Sequence, residues 1–269
     1  MNRCITSVLC LIVVISTVAQ FAALSGCNGP LTPEAKELLL ATYASYEAGD
    51  DALTVSHADE FLSANASSPR SAEAYYLRGM AKYRSMDKAE AEEDISIALK
   101  RAADDEVRAN ACNALGDMAY DRQDMAAAES MYRDAIEYAQ EGSQTSGRAR
   151  YRLGCVLQRQ GRWEDADPHF DRVVFLLPDT DLATAAARRT HSRAWTIQAG
   201  VFRKATKAEE LAKVLTSQAL PAEVVPIVLN SEPAYVVRSG TYPTYEQATG
   251  NAAMVQKTQE DAFVTTSRR

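Results

Sequence analysis

The stretch Trp195-Thr196-Ile197-Gln198-Ala199-Gly200-Val201-Phe202 returns forty residues on as Tyr235-Val236-Val237-Arg238-Ser239-Gly240-Thr241-Tyr242. Each copy reads aromatic, four mixed residues, Gly, one free position, aromatic. Each leads into a helical pattern with an Ala eight residues past the Gly, at Ala208 and Ala248. In the first copy, apolar Ile197 and Ala199 alternate with polar Thr196 and Gln198, the pattern of a strand covered on one face. Residues 204–219 place Ala208, Leu211, Ala212 and Leu215 on one helical stripe. Residues 223–229 are rich in β formers but include Pro226, which lacks the ladder N–H and predicts an edge strand. Asn230-Ser231-Glu232-Pro233 reads as a turn. Residues 235–242 are the next strand. Thr244, with Gln247 three residues later, starts a second helix with a capping box. Residues 261–266 are a last short strand. The order β-α-β-β-α-β predicts a ferredoxin-like split unit whose first and third strands are central. By alternation Thr196, Gln198, Val236 and Arg238 share the face turned away from the helices.

Upstream, a different period holds. Gly79, Gly116 and Gly154 are 37 and 38 residues apart. At fixed offsets from them stand Ala91, Ile95 and Ala98, then Ala128, Tyr132 and Ala135, then Ala166, Phe170 and Val173. Small residues at recurring places let two helices approach, and the large residue fills the groove to the next pair. Thr42 lies 37 residues before Gly79, with Gly49-Asp50-Asp51 at its turn, and marks a degenerate first copy. Residues 181–190 read as a closing helix over the last apolar face.

The N-terminal segment has another character. Asn2-Arg3 is a short positive start, and residues 5–24 are largely apolar and uncharged. Leu24-Ser25-Gly26-Cys27 follows. A positive start, an apolar run and small residues before a cut site make a secretory signal over residues 1–26. The alternative is an uncleaved spanning helix, for which about twenty apolar residues suffice. Charge divides the remainder. Residues 27–193 carry 20 basic against 29 acidic side chains, and residues 194–269 carry 8 against 7. A domain boundary near 190 is expected. The pI of 5.2 argues against a nucleic-acid partner, whose phosphates need a basic surface. Of five Cys only Cys112 and Cys155 lie in the body of the chain, which is no disulfide framework. The three His stand near no Cys, so no metal or cofactor is expected.

Three resemblances add to this. Leu24-Ser25-Gly26-Cys27 resembles the lipobox of bacterial lipoproteins. It implies cleavage before Cys27, a diacylglycerol on its sulfur and a further acyl chain on its amino group. Residues 27–33 would be a lipidated tether, and two or more acyl chains anchor stably. Asn28 is not the Asp that retains such proteins in the inner membrane, so the periplasmic face of the outer membrane is expected. Residues 34–190 resemble tetratricopeptide (TPR) repeats, with the glycines at position 8 of each repeat. That resemblance implies an all-α solenoid whose concave face includes Tyr76, Tyr83, Asn113, Asp117, Tyr120, Tyr151, Cys155 and Gln158. This face would suit an extended peptide or partner helix, or the array is a plain spacer. The doubled unit at 194–269 resembles the SPOR (sporulation-related repeat) domain. That implies binding to peptidoglycan, favouring glycan strands stripped of stem peptides, which accumulate at division septa. Gln198 and Arg238 match the family's binding positions. Val201 stands where a Ser is frequent, and Val236 where an Arg is common.

The sequence thus predicts an α+β multidomain chain: a TPR solenoid, then a small ferredoxin-like domain. The function implied is a non-enzymatic, lipid-anchored protein linking membrane to peptidoglycan in envelope organisation or division. The alternative is a scaffold for assembly of secretion, pilus or outer-membrane machinery, with the wall domain serving for localisation. A wall hydrolase is disfavoured, because no paired catalytic carboxylates, Cys/His dyad or zinc-type cluster stands out in the chain.

Overall fold

The computed structural model describes residues 30–85 and 87–267. The signal segment 1–26 and the lipidation position Cys27 lie outside them. Nine helices precede the sheet among the described residues: α1 Pro33–Glu47, α2 Asp51–Asn65, α3 Ser71–Arg84, α4 Lys88–Arg101, α5 Asp105–Asp121, α6 Met125–Tyr138, α7 Gln144–Arg159, α8 Trp163–Leu176 and α9 Asp181–Arg189. Then follow β1 Ala194–Phe202, α10 Ala205–Ser217, β2 Ala222–Leu229, β3 Glu232–Tyr242, α11 Tyr245–Gln256 and β4 Phe263–Ser267. This is a TPR-like array followed by the predicted β-α-β-β-α-β unit. The chain divides into two compact units, residues 1–111 and 112–269, with the division inside α5.

Helix starts are written into the sequence. Thr32 caps α1, its Oγ1 accepting from the Ala35 N–H at 3.2 Å, and Pro33 follows at the first helical position. Asp50, Asp87 and Asp124 cap α2, α4 and α6 in the same way. These three aspartates also recur every 37 residues, a repeat signal additional to the glycines. Arg162 occupies the corresponding place before α8 and makes no side-chain cap. Thr244 caps α11 through the Gln247 N–H at 3.2 Å, as the capping pattern predicts. The start of α10 has no side-chain cap.

The recurring glycines are sites of close helix approach. A Cβ on Gly79 would lie 2.7 Å from Ile95 Cγ1, one on Gly116 2.6 Å from Tyr132 Cε1, and one on Gly154 2.6 Å from Phe170 Cζ. Each partner is the large residue predicted to fill the groove, and each is fully buried. Tyr132 also donates its hydroxyl to Asp117 at 2.6 Å. The Phe170 ring is fully buried in the helical core. Gly154→Val is therefore expected to destabilise unit 112–269 by at least about 2 kcal/mol, more than the helix propensity gained. Thermal melting of the variant checks this.

Unit 1–111 has its core at Ala35, Leu39, Phe61, Leu62 and Ala74. Beside it lies a buried charge cluster. Asp94, 3% exposed, accepts from Arg78 Nε at 2.8 Å and lies 3.0 Å from Lys82 Nζ.

In unit 112–269 the main helical core joins Tyr132, Leu153, Val156, Leu157, Phe170 and Val173. Cys112 and Cys155 are both buried, unbridged thiols. Burial pushes the His169 imidazole from 6.5 down to about 4, aided by Arg133 and Arg150 and opposed by Asp165 and Glu129. Between those values the unfolded chain holds a proton that the native state excludes. The stabilisation is whole above pH 6.5 and is lost as pH falls toward 4, an effect of at most about 3 kcal/mol. His169→Gln is expected to lose less thermal stability than the natural chain between pH 7 and 4.5. Melting curves across that range test it.

The sheet order is β2-β3-β1-β4, all neighbours antiparallel. As predicted, the first and third strands are central and the Pro226 strand is at an edge. Ile197, Ala199 and Val237 pack under Ala208, Ala212, Leu215, Ala252 and Val255. The charge shift near 190 falls where the helices give way to the sheet. The Trp195 ring of β1 lies 5.4 Å from the Trp163 ring of α8.

Candidate functional site: the open face of the C-terminal sheet

Two irregularities in the β1–β3 pairing, the first with its extra residue on β3 and the second on β1, decide what the open face presents. The pairing of β1 with β3 shifts register between Trp195 and Ile197 and again between Gln198 and Gly200. Up to Gln198 simple alternation holds. The second shift then brings Val201 opposite Val236 and Phe202 opposite Tyr235. Val201 thus joins the open face, whereas Phe202 turns to the helices. Gly200 permits this, since a Cβ there would lie 2.9 Å from Phe202 Cε2.

Two rows of side chains cross the open face. Glu223 pairs with Arg238, Arg238 with Gln198, and Gln198 with Phe263, so one row spans all four strands. At a strand spacing of about 4.8 Å that row is roughly 14 Å long. The next row is Val225, Val236 and Val201. The face therefore offers a carboxylate, a guanidinium, an amide and a phenyl ring in line, beside an apolar strip.

Arg238 is half-buried, and its Nε is fully covered without a hydrogen-bond partner among the described residues. A buried donor in that condition is costly until something accepts from it. A cavity of about 240 Å³ lies beside it, lined by Pro221, Ala222, Glu223, Arg238, Gly240 and Thr241. Gln198 is half-buried, and Phe263 is 51% exposed. A guanidinium and an amide can donate and accept across a polyhydroxylated chain. An exposed ring gives it a flat apolar support.

The other predicted positions differ in access. Thr196 is 2% exposed and donates its Oγ1–H to the Gly240 carbonyl at 2.8 Å, filling the first irregularity. Val236 is 4% exposed and forms floor rather than contact surface. Val201 is open to solvent. Phe263 and Glu223 were not singled out by sequence. Their signal was alternation in short edge strands, which becomes readable only once the pairing register is known.

The TPR face likewise sorts into packing and surface. Asn113 is buried and donates to the Thr145 carbonyl at 3.1 Å. Asp117 is held by the Tyr132 hydroxyl and by Arg148 and Arg152. Tyr151 meets Phe170 edge-on at 5.8 Å. Gln158 is fully buried, exchanging hydrogen bonds of 3.0 Å with the Arg189 carbonyl and guanidinium. Cys155 is buried as well. Around the third repeat, then, α9 closes part of the predicted groove. Tyr76 and Tyr83 are half-buried. In unit 1–111 a cleft of about 530 Å³ is lined by Tyr43, Arg70, Glu73, Asp104, Glu106 and Asn110, among others. Among the described residues no group of His, Cys, Asp and Glu could hold a metal ion.

Comparison with known proteins gives two family matches. Residues 192–266 match the family model described as SPOR domain. Residues 27–119 match the YfiO family, described as outer membrane lipoprotein. No curated protein matches the chain. Among solved structures, pilF of Pseudomonas aeruginosa is 17% identical over 57% of this chain and 66% of its own, with a TM-score of 0.49. MamA is 21% identical over 53% and 77%, with a TM-score of 0.44. A tetratricopeptide repeat protein of Parabacteroides merdae is 12% identical over 70% and 68%, with a TM-score of 0.49. The chain thus carries a SPOR domain at its C-terminal end, behind TPR-like helix pairs.

Proposed function

We propose that this chain is a lipid-anchored envelope protein that holds peptidoglycan glycan on the open face of its SPOR domain. Cys27 would carry the anchor, at the periplasmic face of the outer membrane. The helix pairs would space the wall domain from the membrane and dock a protein partner, in envelope organisation or division. The observation that carries the reading is the row Glu223, Arg238, Gln198 and Phe263 across four strands of the domain that matches the SPOR model. It supplies donors, acceptors and an apolar platform to a sugar polymer, on the face of the sheet opposite α10 and α11. Both matched families are binding or scaffold domains, which supports a non-catalytic role.

Co-sedimentation of the full chain with purified glycan strands lacking stem peptides tests the reading. Pelleting above that of an unrelated acidic protein is expected. Pelleting equal to that control would refute glycan binding.

A second reading, a scaffold for envelope machinery, draws support from the cleft lined by Tyr43, Glu73 and Asn110. Under it, substitutions at Tyr43 and Asn110 in this cleft would remove a protein partner while glycan binding persists.

A further inference from the structure

Five side chains form a continuous stack where the last helix pairs meet the sheet. The Arg159 guanidinium carbon lies 4.3 Å from the centre of the Tyr120 ring and 4.1 Å from that of Tyr245. Tyr245, the first residue of α11, meets Trp195 of β1 at 4.9 Å and 72°. Trp195 in turn lies 5.4 Å from Trp163, the first residue of α8. Both Trp rings are buried, 3% and 9% exposed, and share a cluster with Ala248. A cation held between rings and out of water is favoured more than an exposed one. Paired aromatic rings add to their own burial.

The connector between helices and sheet is tied down as well. It is only residues 190–193. Thr190 donates its hydroxyl to Asp171 at 2.7 Å, and the His191 N–H donates to Asp167 at 2.8 Å. The Ser192 N–H donates to the Arg189 carbonyl at 3.2 Å. The Arg193 guanidinium pairs with Asp167 at 2.8 Å, and its backbone N–H donates to the Ser267 carbonyl at 3.1 Å. Flexible linkers between domains are polar, exposed and poor in such contacts. This one has a bond at every residue.

We infer that the SPOR domain is clamped to the last two helix pairs and does not swivel on a tether, with Arg159 as the positioning residue of the clamp. Its open face then keeps one direction relative to α7 and α8. A partner held by those helices would meet the glycan at a fixed angle. Only that consequence rests on the glycan reading; the clamp itself stands on the packing.

Trypsin reads the clamp directly, because Arg188, Arg189 and Arg193 flank or lie in the connector. In the full chain in detergent these sites are expected to resist cutting. Arg159→Ala and Tyr245→Ala should each release an intact sheet domain at least about tenfold faster, through local opening. Arg159→Lys keeps the charge without the planar stack and should fall between. Tyr245→Ala changes no residue of α7 or α8, so it remains informative even if Arg159→Ala loosens α7. Connector cutting in the natural chain as fast as in an unfolded peptide would overturn the inference. So would rates in both Ala variants equal to the natural rate. Glycan co-sedimentation by Arg159→Ala should stay unchanged. Absence of glycan binding in every protein, with the cutting pattern as expected, would count against the glycan reading alone.

Discussion

Arg238→Ala is expected to weaken binding to stem-peptide-free glycan by at least about tenfold, while melting temperature and circular dichroism stay near those of the natural chain. Hydrogen bonds from a charged donor contribute about 1.5–3 kcal/mol, and 1.4 kcal/mol is a factor of ten. Arg238 sits at the centre of the row, between Glu223 and Gln198, with its covered Nε lacking a partner among the described residues. Removing it deletes the donor and also the cost of leaving that donor unpaired, so the fold loses little. Arg238→Lys keeps the charge but not the fork of donors, and should recover part of the affinity. Phe263→Ala should weaken binding by a smaller factor, since it removes apolar support and no hydrogen bond. Equilibrium sedimentation across a glycan concentration series measures all three.

The second large effect concerns stability in the other unit. Asp94→Ala is expected to destabilise residues 1–111 by about 3–5 kcal/mol. Asp94 is almost wholly buried and holds two cations, Arg78 at 2.8 Å and Lys82 at 3.0 Å. Their other partners, Asp59 and Glu90, are more than half exposed and compensate only in part. Removing Asp94 leaves two largely covered cations without the acceptor they share. Asp94→Asn keeps the shape and one acceptor and should cost less. Amide hydrogen exchange in α3 and α4 would report the loss locally. Glycan binding, which the proposed function assigns to the other unit, should persist.

These two residues show which features sequence makes legible. The doubled aromatic–Gly–aromatic pattern and Pro226 were enough for strand order, since alternation and a missing N–H are properties of single residues. Gly79, Gly116 and Gly154 were enough for the helix pairs, because close approach leaves a small residue at a fixed offset. Gln198 and Arg238 stand out only through the resemblance to the SPOR family, since a polar residue on an open strand face carries no mark of its own. Asp94 was not: in Glu92-Glu93-Asp94 nothing tells which acid turns inward. Val201 was placed by its neighbour Gly200 rather than by alternation, because a register shift reverses which face a residue takes. Thr196 and Asn113 look like surface polar residues in sequence and are packing elements in the fold. Their hydrogen bonds run to Gly240 and Thr145, 44 and 32 residues away. The change of charge near 190 coincides with the passage from helices to sheet. The stack of Trp163, Trp195, Tyr245 and Arg159 joins residues up to 86 positions apart, and no local pattern announces it.

The measurement that bears most directly on the central claim is amide shift mapping of the full chain titrated with a soluble glycan oligosaccharide free of stem peptides. Saturable changes at Gln198, Val201, Arg238 and Phe263, with α10 and α11 unmoved, are the predicted result. Changes confined to the helices, or none at saturating glycan, would contradict the assignment of this face as the wall-binding surface.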